Sequence, residues 1–187
     1  MKSLWAVPML GLAFASLTSV AANAATFTFT GSLSPMQEVP PKDTPATGSY
    51  QATLDGDPDN WTFSYEVKFS DLSGPLTLAH IHEAPRGVNG PVVHDLDKPP
   101  LGKTEGTIFG NWLSTEAKNP AETFEELLAG NYYFNLHSSV IPSGELRGQI
   151  ERDSESSTSV PEPTSAIALT LVGGVSLLVR RRQQVAN

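Results

Sequence analysis

The chain has 187 residues, with 20 Asp and Glu against 12 Lys and Arg and no cysteine. Its net charge of −8 disfavours nucleic acid and anionic lipid as partners and suits solubility or cation binding. The absence of cysteine excludes a disulfide framework, a thiolate metal site and a thiol nucleophile, so the fold must rest on its own core and on any metal it binds.

At the N-terminus, Lys2 is followed by an apolar run over residues 4–20 and then by Ala22-Asn23-Ala24, with small residues where a signal peptidase reads. This predicts a secretory signal peptide over residues 1–24, with Ala25 starting the mature chain. No twin arginine marks folded export. Residues 25–152 then have the length of a single domain, in which eight Lys and Arg stand against seventeen Asp and Glu, a net of −9.

Strand periodicity dominates this domain. Residues 26–33 place Phe27, Phe29 and Leu33 on one side, and Trp61, Phe63, Tyr65, Val67 and Phe69 alternate with Thr62, Ser64, Glu66 and Lys68. The second run is the clearest half-buried strand, with Trp61 and its aromatic neighbours in the core. Further strands are predicted at 49–54, 76–82, 92–96, 104–109, 131–137 and 145–151, separated by turns such as Asp57-Pro58-Asp59-Asn60 and Pro142-Ser143-Gly144. Pro40-Pro41 ends the first strand or protects an edge, because proline cannot donate to a ladder. One helix is expected over residues 120–128, with Asn119 as N-cap and Gly130 just past its end. Together these elements predict an all-β antiparallel sandwich with one short helix.

Alternation assigns the faces. Tyr132, Phe134 and Leu136 form one apolar set, leaving Tyr133, Asn135 and His137 opposite. Leu146 and Ile150 go inward, and Glu145, Arg147, Gln149 and Glu151 outward. In the stretch around Ala79-His80-Ile81-His82 we place Ala79 and Ile81 in the core, because two buried imidazoles would each need partners. If these three strands are neighbours, His80, His82, His137, Asn135, Arg147 and Gln149 share one polar surface.

That surface admits two readings. Residues i and i+2 of a strand point the same way about 6.5–7 Å apart, which lets two imidazoles converge on one ion. His137 supplies a third ligand, His94, Glu83, Asp95 or Asp97 complete the shell, and copper or zinc suits imidazole in a thiol-free exported protein. The other reading is a hydrogen-bonded network in which His80 and His82 bond Asn135, Glu145 or backbone carbonyls. For Arg147 a salt bridge to Glu145 or Glu38 is favoured over anion binding, and an outward Tyr133 offers a stacking surface for a sugar. No phosphate-cradling loop or nucleophile elbow occurs, Gly87 to Gly90 read as a turn, and Glu122, Glu125 and Glu126 as a solvated helix face. Non-catalytic roles are therefore favoured over an enzyme.

After a Ser- and acid-rich linker at residues 153–160, Val160-Pro161-Glu162-Pro163 precedes an apolar run over 166–179 and then Arg180-Arg181-Arg182. A V-P-E-P motif, one apolar helix and an arginine cluster in this order resemble the PEP-CTERM sorting signal. The resemblance implies a tail at 161–187 with a transmembrane helix, cut by an exosortase-type protease in exopolysaccharide-making Gram-negative bacteria. It further implies transient inner-membrane anchoring, then release to the cell surface or extracellular matrix.

Within the domain, Gln37-Glu38-Val39-Pro40-Pro41, Ala79-His80-Ile81-His82, Gly130-Asn131-Tyr132-Tyr133-Phe134-Asn135-Leu136-His137 and Gly144-Glu145-Leu146-Arg147-Gly148-Gln149-Ile150 resemble, in the right order, the CHRD domain of chordin-type extracellular proteins. Ser138 departs mildly from the threonine frequent in the family, and residues 115–126 are longer and more acidic than expected. The resemblance implies an immunoglobulin-like or superoxide-dismutase-like sandwich over roughly 26–151 and no established enzymatic activity. A surface module that binds an extracellular protein or polysaccharide is the first expectation. A copper- or zinc-binding protein, with redox chemistry as one variant, is the alternative.

Overall fold

The computed structural model describes residues 25–154 and 158–159; the expected signal peptide, the V-P-E-P motif and the apolar tail lie outside the described residues. Nine strands and one helix follow in order: β1 (Ala25–Leu33), β2 (Thr47–Asp57), β3 (Asn60–Ser70), β4 (Leu76–Glu83), β5 (Val92–Asp95), β6 (Gly106–Leu113), α1 (Pro120–Leu128), β7 (Tyr132–Ser138), β8 (Leu146–Ile150) and the two-residue β9 (Thr158–Ser159). Every strand pairing is antiparallel, and the strands form two sheets, β6-β3-β2-β1-β9 and β5-β4-β7-β8. No helix among the described residues is long and apolar enough to cross a membrane.

The sheets pack through the apolar sets that alternation predicts. Trp61, Phe63, Tyr65, Val67 and Phe69 of β3 are buried against Phe134 and Leu136 of β7, with the Phe63 and Phe134 rings stacked 6.4 Å apart. Along one side of the sandwich the Tyr50 hydroxyl of β2 donates to the Gln149 carbonyl of β8 at 2.7 Å, which ties the two sheets together. Asp153, just past β8, accepts hydrogen bonds from Thr28 and Thr30, and β9 pairs with the start of β1. The helix occupies the expected span. The Asn119 side chain makes no cap bond to the backbone and donates instead to Glu122 Oε2 at 2.8 Å.

Two local departures set the faces. β6 runs on to Leu113 and begins at Gly106 rather than 104, because the carbonyls of Lys103 and Thr104 are taken by the amides of Leu76, the first residue of β4, and of Leu72 before it. In β4 a bulge between Leu76 and Leu78 reverses the parity, so Leu76 is buried in the core while Leu78 stands on the opposite face, half exposed, beside His80 and His82. Ala79 and Ile81 are in the core as expected.

A candidate metal centre on the covered face of the second sheet

The face of β4, β7 and β8 turned away from the core carries His80 and His82 from β4, Tyr133, Asn135 and His137 from β7, and Arg147 and Gln149 from β8. Register places His80 opposite Asn135 and His82 opposite Tyr133, with His137 beside Leu78. The expectation that this face is an open polar surface is corrected. Tyr133, Asn135, Glu145, Arg147 and Gln149 are all at most 4 % exposed. The cover comes from residues 35–44, which follow β1, and from residues 84–91, which link β4 to β5. Glu38 of the first segment bonds Asn135, and Pro85, Val88 and Asn89 of the second accept from Arg147.

Arg147 fixes the second cover. Its guanidinium donates to the Val88 carbonyl at 2.8 Å, the Pro85 carbonyl at 3.2 Å and Gln149 Oε1 at 3.0 Å, and lies 3.6 Å from the centre of the Tyr133 ring. The expected salt bridge to Glu145 or Glu38 is not formed: Nη1 and Nη2 are turned to two carbonyls of one loop and to Gln149 instead. Glu145 instead accepts from the amide and hydroxyl of Ser73, at 2.8 and 2.7 Å, and hydrogen bonds hold its carboxyl below the ordinary range despite burial. Tyr133 is sandwiched between Arg147 and His82, whose ring stacks on it at 5.0 Å. It therefore presents no face to a sugar.

Beneath this cover three imidazoles converge. One nitrogen each of His80, His82 and His137 lies within 4.8 Å of the others. One nitrogen of each ring is held: His82 Nδ1 by the Gly90 carbonyl and His137 Nδ1 by the Pro142 carbonyl, both at 2.9 Å, and His80 Nε2 by the Asp95 carboxylate at 3.4 Å. A carbonyl can only accept, so Nδ1 of His82 and of His137 carries the proton and Nε2 carries the lone pair. His80 Nδ1, His82 Nε2 and His137 Nε2 are buried and find no hydrogen-bond partner among the described residues. Burial lowers the pKa of all three rings, and for His137 the neighbouring imidazoles lower it further. The trio is therefore neutral near pH 7, the state that a metal requires.

The fourth histidine is elsewhere. His94 pairs with Ile81 and so points to the core side, where its ring stacks on Trp112 at 5.3 Å and its Nε2 lies 3.4 Å from the Tyr65 hydroxyl. Directly paired residues share a face, so the pairing with Ile81 removes His94 from the shell proposed for it. Asp97 bonds the Asn111 amide on β6, and Glu83 is exposed at the end of β4. Asp95 reaches the site only through His80. The carbonyls of Gly90 and Pro142 leave no residue-type signal, so sequence reasoning could not find them.

A family profile for the CHRD domain matches residues 29–150. The chain belongs to the CHRD domain family. No curated protein and no solved structure matches it. In this CHRD domain the motif residues are those just described: Glu38 and Gln37 lie in the cover, His80 and His82 with His137 form the trio, and Arg147 with Gln149 form the clamp.

Glu38 adds a titrating group beside the site. Burial raises its pKa from 4.5 to about 7, against a partly offsetting hydrogen bond from Asn135. Between those values the folded carboxyl keeps its proton while the unfolded one has lost it, so this group's contribution to stability falls as pH rises from 4.5 to about 7. The shift corresponds to roughly 3 kcal/mol at most. Glu38→Gln is expected to remove that slope, gaining on the parent by about 1–3 kcal/mol above pH 7 and little below pH 4.5. Urea unfolding of both proteins across this range checks it; parallel curves would contradict it.

Proposed function

We propose that this is an exported CHRD-domain protein whose immunoglobulin-like, superoxide-dismutase-like sandwich holds one copper or zinc ion on His80, His82 and His137. The observation that carries the reading is the trio of partnerless, buried nitrogens whose opposite nitrogens are each held by a carbonyl or a carboxylate. Histidines that ligate metals are oriented in this way, since the outer acceptor fixes the tautomer and raises the basicity of the ligating atom. Three imidazoles around a tetrahedral ion at 2.0–2.1 Å have nitrogens about 3.3 Å apart, so each nitrogen must move by at most about 0.9 Å toward a common centre. Neutral nitrogen ligands without thiolate or carboxylate suit copper or zinc over calcium or magnesium, and three protein ligands leave a coordination position open.

The signal peptide and the PEP-CTERM-like tail, with Val160, Pro161, Glu162, Pro163 and Arg180, Arg181, Arg182 as its recognition elements, support export followed by exosortase-type processing at the inner membrane. The mature domain then works at the cell surface or in the extracellular matrix, where histidine sites must serve without thiols.

Calorimetric titration of the metal-free protein with zinc and with copper tests the site. The expected result is one ion per chain, abolished in His80→Ala, His82→Ala and in His137→Ala, and unchanged in His94→Ala. Binding that survives in all three trio variants, or none in the parent, sinks the reading.

A further inference from the structure

The three nitrogens offered to the ion are closed to solvent, so an ion reaches them only when a cover moves. The loop over residues 84–91 is fixed by Arg147 through the Val88 and Pro85 carbonyls. The segment over residues 35–44 is tied at Gln37 to Arg86 and the Gln149 amide, at Val39 to Asn89, and under its middle by Glu38. Glu38 is 4 % exposed and rests on the equally buried Asn135, which register sets opposite His80 and which stands two residues before His137 on the same face.

The contact between these two side chains is half made. Asn135 Nδ2 donates to Glu38 Oε2 at 3.4 Å, while Glu38 Oε1 and Asn135 Oδ1 are buried without a hydrogen-bond partner among the described residues. Both oxygens flank one bare α-carbon, since a β-carbon on Gly144 would stand 2.8 Å from the first and 2.6 Å from the second. A carboxylate only accepts, so with Glu38 ionised neither oxygen can satisfy the other. A proton on Oε1 turns it into the donor that Asn135 Oδ1 lacks, and acid and amide then each donate once and accept once. The charged groups facing Glu38 are Arg147 on β8 and Lys42 on its own segment, while Glu145, next to Gly144, turns to Ser73. Burial outweighs the Asn135 hydrogen bond and both cations and raises the Glu38 pKa to about 7.

We propose that Glu38 and Asn135 form a proton-dependent latch: as a neutral acid–amide pair they hold residues 35–44 down over the histidine trio, and when Glu38 loses its proton to water the segment opens and admits the ion. The gating role rests on the metal reading above, whereas the latch itself is a property of the metal-free chain.

The closed pair keeps its proton up to about pH 7, and an opened segment returns Glu38 to water and a pKa near 4.5. Opening therefore becomes easier as pH rises between these values, by up to about tenfold per pH unit, and changes no further above 7. Opening also lets His80, His82 and His137 take up protons below 6.5, which favours the open state at low pH. Glu38→Gln shares that histidine effect, but its amide donates to Asn135 Oδ1 at every pH, so the ratio of parent to variant isolates the latch.

Hydrogen exchange of the metal-free full chain, read by mass spectrometry over residues 35–44 and corrected for intrinsic rates, tests it from about pH 5 to about pH 8. The parent-to-variant ratio of opening is expected to rise by about ten- to a hundredfold up to pH 7 and then stay level. In both proteins residues 35–44 should exchange faster than β3, which marks a local opening rather than unfolding. The rate of zinc association in stopped flow, again as parent over Glu38→Gln, should rise over the same range. An exchange ratio that is flat with pH, or a segment that exchanges only together with β3, would overturn the latch. A flat zinc ratio beside a rising exchange ratio would overturn its gating role. Absence of zinc binding beside a rising exchange ratio would sink the metal reading, and gating with it, while confirming the latch.

Discussion

Saturating zinc is expected to raise the unfolding temperature of the chain by roughly 15 °C near neutral pH, and to leave that of His137→Ala where it was. An ion bound only by the folded state stabilises by about 4 kcal/mol when present at a thousandfold excess over its dissociation constant. For a domain of this size each kcal/mol is worth about 3–5 °C. The effect has a defined pH dependence. The pKa values of His80, His82 and His137 lie below 6.5 in the folded chain, so as pH falls below 6.5 the unfolded chain takes up protons that the folded chain does not. The metal-free protein therefore loses stability as pH drops from 6.5 toward the folded values, by up to roughly 1.4 kcal/mol per proton per pH unit. Above 6.5 the histidine contribution is fully present. Because the folded rings stay neutral to lower pH than free imidazole, zinc stabilisation should persist somewhat below 6.5 and vanish only as the trio itself protonates. Thermal unfolding with and without zinc across this range checks both statements. A zinc-independent midpoint at every pH, or a metal-free protein that grows more stable on acidification through 6.5 in the Glu38→Gln background, would contradict them.

Arg147→Met should destabilise the fold by about 3–5 kcal/mol and abolish stoichiometric metal binding, although Arg147 is not a ligand. Its guanidinium is 1 % exposed and satisfies the Val88 and Pro85 carbonyls as well as Gln149 Oε1. Removing it strands those acceptors under cover, and a broken buried charge network costs this much. The link to the metal runs through residues 84–91. Val88 and Pro85 anchor the loop whose Gly90 carbonyl holds His82 Nδ1, and the Tyr133 ring under Arg147 is the surface on which His82 stacks and the hydroxyl that accepts from the Gly90 amide. Arg147→Lys should rescue little, because a lysine cannot lie flat on Tyr133 while donating to two carbonyls in one plane. Equilibrium unfolding of the metal-free proteins separates the stability loss from the binding loss. If Arg147→Met retained parental stability, the clamp as described would be wrong.

The strands and the pairing of functional residues were legible because both depend on local alternation. Trp61 through Phe69 alternates without interruption, and β3 buries that set. The period-2 rule likewise put His80 with His82, and Asn135 with His137, on faces away from the core, since an apolar neighbour on each side fixes parity within a few residues. The helix at Pro120–Leu128 was readable from a proline start and a glycine stop.

What the sequence left open depended on segments brought together from far apart. Whether the polar face met water or protein was decided by residues 35–44 and 84–91, whose own composition reads as ordinary turn. Only their docking through Glu38, Val88 and Asn89 turned a surface network into a buried one. The inward aim of His94 was set by its cross-strand pairing with Ile81, and the split between Leu76 and Leu78 by a bulge, which shifts parity without any change of residue type. The tautomers of His82 and His137 were decided by the Gly90 and Pro142 carbonyls, groups that every residue carries and that acquire meaning only by position. The sequence by itself determined the strands, the apolar sets and the residue types available for chemistry, because these follow from local periodicity and covalent identity. The tertiary structure decided which of those residues meet, which are dry and which nitrogen each imidazole offers, because long-range loop docking and register control them.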